Sequence, residues 1–261
     1  MSDGIWDTLA SAIRSGEPVA LATVVAGPGA GSHMLVGPGG RLGGGIADED
    51  LDRVVLRDTA GELAAGRTGV RHYGEEGQTG EEAVTVFIET FASAPQMIVF
   101  GAMDFTAALV RVAKVLGYRV TVCDAREVFA TRARFPQADS VVVDWPDRLL
   151  ATRGAELGPR DAICVLTHDA RFDVPALLSA LQTDAGYIGA MGSRRTHADR
   201  LERLRAAGAD SDDLSRLCAP IGLDLGARTP EETAISICAE MIAVRTGRSA
   251  GPLGVAEGPI H

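Results

Sequence analysis

Apolar positions along the chain follow two patterns, and the change between them falls near residue 94. Before it, elements of differing period follow one another. Residues 3–15 have helical spacing, with Ile5, Trp6, Leu9 and Ile13 on one face and Gly16 as the stop. Residues 19–25 and 32–36 read as strands with a Gly/Pro loop between them. Gly37-Pro38-Gly39-Gly40 marks a turn, and Gly43-Gly44-Gly45 precedes an acidic helix over about 47–65. Two more strands are predicted at 70–73 and 83–91. This predicts a smaller N-terminal mixed α+β domain over 1–93.

After Ala94-Pro95 the pattern becomes regular. Short buried runs at 97–100, 119–123, 141–143, 162–166 and 187–191 alternate with helical stretches at 104–116, 174–181 and 193–207. Such alternation predicts an α/β domain over 94–246, a Rossmann-like parallel sheet with flanking helices. Thr229-Pro230-Glu231-Glu232 combines a capping box with proline at the first helical position. The helix it opens runs to about Arg245 and is predicted to bury Ala234, Ile235, Cys238, Met241 and Ile242. Residues 247–261 read as a flexible tail.

Composition narrows the function. The 261 residues are 46% apolar, with a net charge of −10, which argues against nucleic acid as the main partner because phosphate backbones need a basic face. Four scattered cysteines form no C-x-x-C pair, so neither a disulfide framework nor a zinc site is expected. Free thiols, no signal segment and no apolar run long enough for a bilayer lead us to expect a cytoplasmic protein with no membrane span.

Ligands of open parallel sheets bind beyond the carboxyl ends of the strands. Gly101 follows the first strand of the second domain, and Asp124 ends the next one, at the spacing of a dinucleotide site. The glycine fingerprint fails, however: the turn is Gly101-Ala102-Met103-Asp104-Phe105-Thr106, with Met103 and Thr106 where the second and third glycines would stand. Asp104 would also repel a phosphate at the helix start, and it reads more simply as an N-cap. NAD(P) is therefore the less favoured ligand. Thr167 and His168 follow the strand at 162–166, with Asp169 next. Gly192, Ser193, Arg194 and Arg195 open a helix, where free N–H groups and two guanidiniums could hold an anion. The alternative is that Ser193 only caps the helix and both arginines are solvated. His168 could donate to a ligand or exchange a proton, or be structural. Gly222, Asp224 and Arg228 sit in a glycine-rich loop that either shapes a ligand surface or braces the lead-in to the last helix. Gly43-Gly44-Gly45 admits close approach of a ligand or backbone but lacks the Lys-Ser/Thr of a P-loop. His33 and His72 read as structural, and no serine-hydrolase motif is visible.

Tyr187-Ile188-Gly189-Ala190-Met191-Gly192-Ser193-Arg194-Arg195 and the stretch from Pro220 to Glu232 resemble the xanthine dehydrogenase/carbon monoxide dehydrogenase accessory protein family, of XdhC/CoxI type. Thr167-His168-Asp169, Arg134-Phe135-Pro136 and Met34-Leu35-Val36 agree in order and spacing. The resemblance implies a maturation chaperone that binds molybdenum cofactor, as molybdopterin or its nucleotide form, and delivers it to an apo molybdenum hydroxylase. It further implies a homodimer and dealings with a cysteine desulfurase, and pterin and phosphate binding would fit Arg194 and Arg195. From the strand ends and the glycine-rich loop, the candidate ligand set is Gly101, Asp124, Thr167, His168, Gly192, Ser193, Arg194, Arg195, Gly222, Asp224 and Arg228. Two departures stand out. Ile46 occupies the position of a family cysteine after the glycine run, and Gly101-Ala102-Met103-Asp104 replaces Gly-Ala-Gly-His. Competing readings are an NAD(P)-dependent oxidoreductase and a regulatory relative without cofactor.

Overall fold

The computed structural model describes residues 3–46, 49–74, 83–167 and 169–255. The chain divides into two compact units, Met1–Ser93 and Ala94–His261.

The first unit runs α1 (Asp3–Ser15), β1 (Val19–Ala26), β2 (His33–Gly37), β3 (Gly40–Gly44), α2 (Glu49–Ala65), β4 (Gly69–Tyr73) and β5 (Val84–Phe91). The strands form one antiparallel sheet in the order β3-β2-β1-β5-β4. Side chains alternate across β1, so that both faces of the sheet are covered. Ala22 and Val24 join Met34, Val36, Leu51, Val55 and Ile88 on one face, while Val19 and Leu21 meet Leu9 and Ala12 on the other.

Three local expectations change. Within α1 the buried residues are Leu9 and Ala12; Trp6 and Ile13 remain 46% exposed. The Trp6 ring instead meets the edge of His33, 5.0 Å between centroids. The glycine run, for which the sequence predicts no element, lies largely in a strand: Gly43 and Gly44 pair with β2. Gly44, at φ +75°, lies so close to the β2 backbone that a Cβ would sit 2.1 Å from the His33 carbonyl oxygen. The run thus serves backbone approach. Ile46 is 1% exposed and packs in the core beside α2. His33 and His72 each hydrogen-bond a threonine on a neighbouring strand, Thr23 at 3.1 Å and Thr85 at 3.3 Å.

The second unit runs β6 (Gln96–Phe100), α3 (Asp104–Val115), β7 (Arg119–Cys123), β8 (Ser140–Val142), α4 (Pro146–Arg153), a 3-10 turn, β9 (Ala162–Val165), α5 (Ala170–Leu181), β10 (Tyr187–Ala190), α6 (Arg194–Ala206), α7 (Ser211–Ser215), β11 (Leu217–Cys218) and α8 (Pro230–Thr246). Every strand pair is parallel, and the sheet order is β11-β10-β9-β6-β7-β8. Read from the other edge this is the 3-2-1-4-5-6 order of doubly wound sheets. The expected Rossmann-like parallel sheet is present. The chain leaves β6 toward one edge and returns at β9 toward the other, so the switch point lies between β6 and β9.

Alternate residues of β6 explain the layering. Met97 and Val99 pack under α3 and α8 with Leu109, Ala113, Ile237 and Met241. Ile98 and Phe100 pack against the opposite layer with Leu149, Leu177, Ile188 and Leu204. In α8 the predicted face is turned: Ala234, Ile237, Cys238 and Met241 are buried, whereas Ile235 and Ile242 stay 54% and 40% exposed. The Thr229 capping box is present as expected, with the Glu232 amide donating to Thr229 Oγ1 at 3.1 Å and the Thr229 amide to Glu232 Oε2 at 3.1 Å.

Candidate functional site

The strand ends at the switch point form the candidate site. Gly101 leaves β6 with φ +108°, and a Cβ there would lie 2.6 Å from Thr167 Cγ2. The β6 and β9 ends are therefore in direct contact, and only glycine fits. Thr167 is 9% exposed, and its hydroxyl donates to Asp173 on α5. Asp173 in turn accepts from Arg200 Nη2 at 2.9 Å, a pair whose side chains are 4% and 3% exposed. Arg200 Nη2 also donates to the Met191 carbonyl at 2.7 Å, and Gly192 packs beside the guanidinium. A continuous polar chain thus joins the ends of β9 and β10, and the end of β6 packs on it through Gly101 against Thr167.

Ser193 caps α6, accepting from the Thr196 amide at 3.1 Å. Arg194 and Arg195 follow, exposed, with no ion pair or hydrogen bond among the described residues. Arg200 Nη1 and His197 Nδ1 are buried without a partner. Burial, and then the Arg200 charge one turn away, lowers the His197 pKa. Both atoms are closed off from solvent, so each is a local cost of packing α6 and not an open contact for a ligand. Neither group stands out along the chain: Asp173, Arg200 and His197 look like ordinary polar positions on charged helices, and only burial singles them out.

Asp124, predicted to face a ribose, is almost enclosed. Its Oδ2 accepts from the Ala102 amide and from Arg126 Nη2, both at 2.8 Å. Oδ1 accepts from the Arg126 amide at 3.0 Å and its Nε at 2.9 Å. Burial alone would raise the Asp124 pKa, but the Arg126 side chain, with the Ala102 and Arg126 amides, outweighs it and holds the carboxyl below its ordinary 3.8.

The helix start beside it also differs from expectation. The N-cap of α3 is Met103, not Asp104; the Met103 amide donates to Thr106 Oγ1 at 3.3 Å, and Thr106 Oγ1 donates to the Gly101 carbonyl. A threonine at the third helical position supplies what a capping side chain would. Asp104 is the first helical residue, exposed and 3.4 Å from Arg134.

Asp169 caps α5, and Arg171 holds its pKa at about 2 through a side-chain hydrogen bond. His168 lies outside the described residues. In the glycine-rich loop, the Ile221 amide donates to the Ala190 carbonyl at 3.0 Å and the Gly222 amide to Glu240 Oε2 at 2.8 Å. Gly222 has φ +97°, and a Cβ there would meet Ser236 Oγ at 2.5 Å. The loop start is therefore anchored at the end of β10, whereas Asp224 and Arg228 are exposed. The Arg228 amide donates to Glu232 Oε2 at 2.7 Å. Gly101, Asp124, Thr167, Gly192 and Ser193 line one rim; no contact brings Asp224 or Arg228 to it among the described residues. Arg126, Phe129 and Arg134 complete the rim without having been expected there. The Arg126 guanidinium lies 4.5 Å over the Phe129 ring, and Arg134 Nη1 donates to the Ala102 carbonyl at 3.0 Å. Among the described residues no group of three His, Cys, Asp or Glu could hold a metal ion.

Comparison with known proteins follows the same outline. The XdhC Rossmann domain model matches residues 97–241, and the XdhC and CoxI family model matches residues 12–74. A Bacillus subtilis protein described as a probable xanthine dehydrogenase subunit is 32% identical over 63% of this chain and 47% of its own length. The Escherichia coli molybdenum cofactor insertion chaperone PaoD is 33% identical over 38% of this chain and 31% of its own. The chain spans less than half the length of the curated relatives it matches. A crystal structure from Bacillus halodurans, described as a xanthine dehydrogenase, has the same fold with a TM-score of 0.54 at 21% identity, covering 95% of this chain and 97% of that one. With both family models matched in order along its length, this chain belongs to the XdhC and CoxI family.

Proposed function

We propose that this protein is a maturation factor for molybdenum hydroxylases of the xanthine or carbon monoxide dehydrogenase type, binding molybdenum cofactor as cargo and delivering it to the apo-enzyme. The observation that carries the reading is the rim at the switch point. A buried Thr167–Asp173–Arg200 chain ties the ends of β9 and β10 together, while Arg194 and Arg195 stand free of partners among the described residues at the start of α6. Unpaired guanidiniums at a helix N-terminus suit a phosphate-bearing ligand. The relatives named for xanthine dehydrogenase and for cofactor insertion support the choice of cargo.

The residues fit the anionic, organic part of such a cofactor, which needs donors. Arg194 and Arg195, exposed and with no ion pair or hydrogen bond among the described residues, supply them. All four cysteines are free and largely buried, in keeping with a cytoplasmic setting. Burial pushes the thiols of Cys123 and Cys238 up to about 12 and that of Cys218 up to about 11, and raises Cys164 as well. Sulfur for the cofactor, from a cysteine desulfurase, would then reach it without passing through a thiolate of this chain. A homodimer belongs to the same reading, and light scattering on the purified protein tests it.

The deciding experiment mixes the protein with molybdenum cofactor, separates it by gel filtration, and measures molybdenum and pterin in the protein peak before and after apo-hydroxylase is added. Retention followed by transfer is expected, and Arg194→Ala with Arg195→Ala should weaken retention without unfolding. A protein peak free of pterin refutes the reading.

A further inference from the structure

At a dinucleotide site the turn after the first strand offers free backbone N–H groups to a pyrophosphate, and the acidic residue after the second strand offers oxygens to a ribose. Here both offers are withdrawn. The Ala102 amide donates to Asp124 and the Met103 amide to Thr106, so neither is free. The Asp124 carboxylate accepts four hydrogen bonds, filling its capacity.

What is left facing outward is Arg126. Its Nε and Nη2 are locked onto Asp124, its face lies 4.5 Å over Phe129, and its side chain is still 43% exposed. Nη1 has no partner among the described residues. The guanidinium is thereby held in one orientation before any ligand arrives, which spares the entropy of ordering a long side chain. Arg134 ties the segment in place, donating to the carbonyls of Ala102 at 3.0 Å and Phe129 at 3.4 Å. Across the crevice, Asp169 lies near enough to influence Arg126 electrostatically but is itself satisfied by Arg171.

We propose that Arg126, braced by Asp124 and backed by Phe129, is the group that meets the phosphate of a nucleotide-like ligand, and that Asp124 is its positioning residue rather than a sugar acceptor. The inference rests on the cofactor reading and deepens it by adding, after the end of β7, a second phosphate contact to the one given to Arg194 and Arg195. The ligand class is a phosphate ester on a planar heterocycle, shared by nucleotides and phosphorylated pterins. Recognition is through the outward N–H groups of one pre-oriented arginine, Nη1 above all, instead of a glycine-rich backbone cradle.

Titration calorimetry on the full chain tests this with guanosine, guanosine 5′-diphosphate and inorganic pyrophosphate as probes. The diphosphate should bind at least ~10-fold tighter than the nucleoside, the scale of one charge-assisted hydrogen-bonded contact. Arg126→Ala should sharply reduce that preference, and Arg126→Lys should restore part of it, because charge returns without the guanidinium's fixed pose. Asp124→Asn should weaken the diphosphate while leaving guanosine unchanged. Pyrophosphate binding alone would assign the contact to a free phosphate, and would overturn the nucleotide-like ligand while keeping Arg126 as its receptor. Equal binding of nucleoside and diphosphate, no binding of any probe, or a preference undiminished in Arg126→Ala overturns the proposal. Arg126→Lys keeps a positive charge beside the buried Asp124 carboxylate, so it remains informative even where Arg126→Ala or Asp124→Asn fails to fold. If the diphosphate preference holds but molybdenum cofactor is not retained, the cargo reading fails alone. If the cofactor is retained equally by wild type and Arg126→Ala while the probes show no preference, only the present inference fails.

Discussion

Gly101 and Asp173 carry opposite kinds of constraint. Gly101 has a positive φ and no room for a Cβ, so Gly101→Ala should cost at least ~1–2 kcal/mol from backbone conformation alone, with more from overlap with Thr167. Urea unfolding measures it, and an unchanged midpoint would contradict the close contact. Removing Asp173 leaves the Arg200 charge buried and unpaired, so Asp173→Ala should destabilise by ~3–5 kcal/mol. Asp124 adds a pH dependence. Its folded-state pKa lies below 3.8, so its stabilisation is full above that value and fades as pH falls through the lowered one. The stability gap between wild type and Asp124→Asn should therefore narrow in acid denaturation series below about pH 4. A constant gap would mean that the carboxylate charge is not what stabilises. Gly101 and Asp124 were both readable from spacing. The use of Asp124 was not, because its four hydrogen bonds come from Arg126, two residues on, and from Ala102, brought beside it only when β6 and β7 pair.

Elements with both a periodic face and a chemical stop were legible, and α8 shows the limit of that. Its start follows from Thr229, Pro230 and Glu232, and Thr229→Ala should lower stability by ~1 kcal/mol, seen as a reduced thermal midpoint. Its buried face was legible only in part: Ala234, Cys238 and Met241 are buried as expected, but Ile235 and Ile242 are as apolar as Ile237, and only packing against α3 and the sheet selects between them. The helix α5 begins at Ala170, four residues before its predicted start. Asp169 is the cap, and Pro175 lies inside the helix. The short α4, α7 and β11 escaped because eight, five and two residues give no readable period.

For the molecule as a whole, the thiols provide a global test of packing. Each of the four cysteines is held protonated near neutral pH by burial, so native protein at pH 7.5 should react slowly with a thiol reagent and yield four equivalents only in denaturant. Rapid labelling of the native chain would show an activated cysteine and reopen sulfur relay through this protein. No helix among the described residues is long and apolar enough to cross a membrane.

The alternation of buried runs with helical stretches was enough, unaided, to dictate a parallel sheet with crossover helices in the second unit, because period and run length are local properties of a chain. Which side chains meet at the sheet's switch point was decided only by the folded arrangement. Thr167, Asp173 and Arg200 come from β9's end, α5 and α6, and Arg126 owes its fixed pose to a carboxylate buried by β6 and β7. Hydrogen bonding and desolvation depend on distances across the fold, and those distances exist only once the strands have closed.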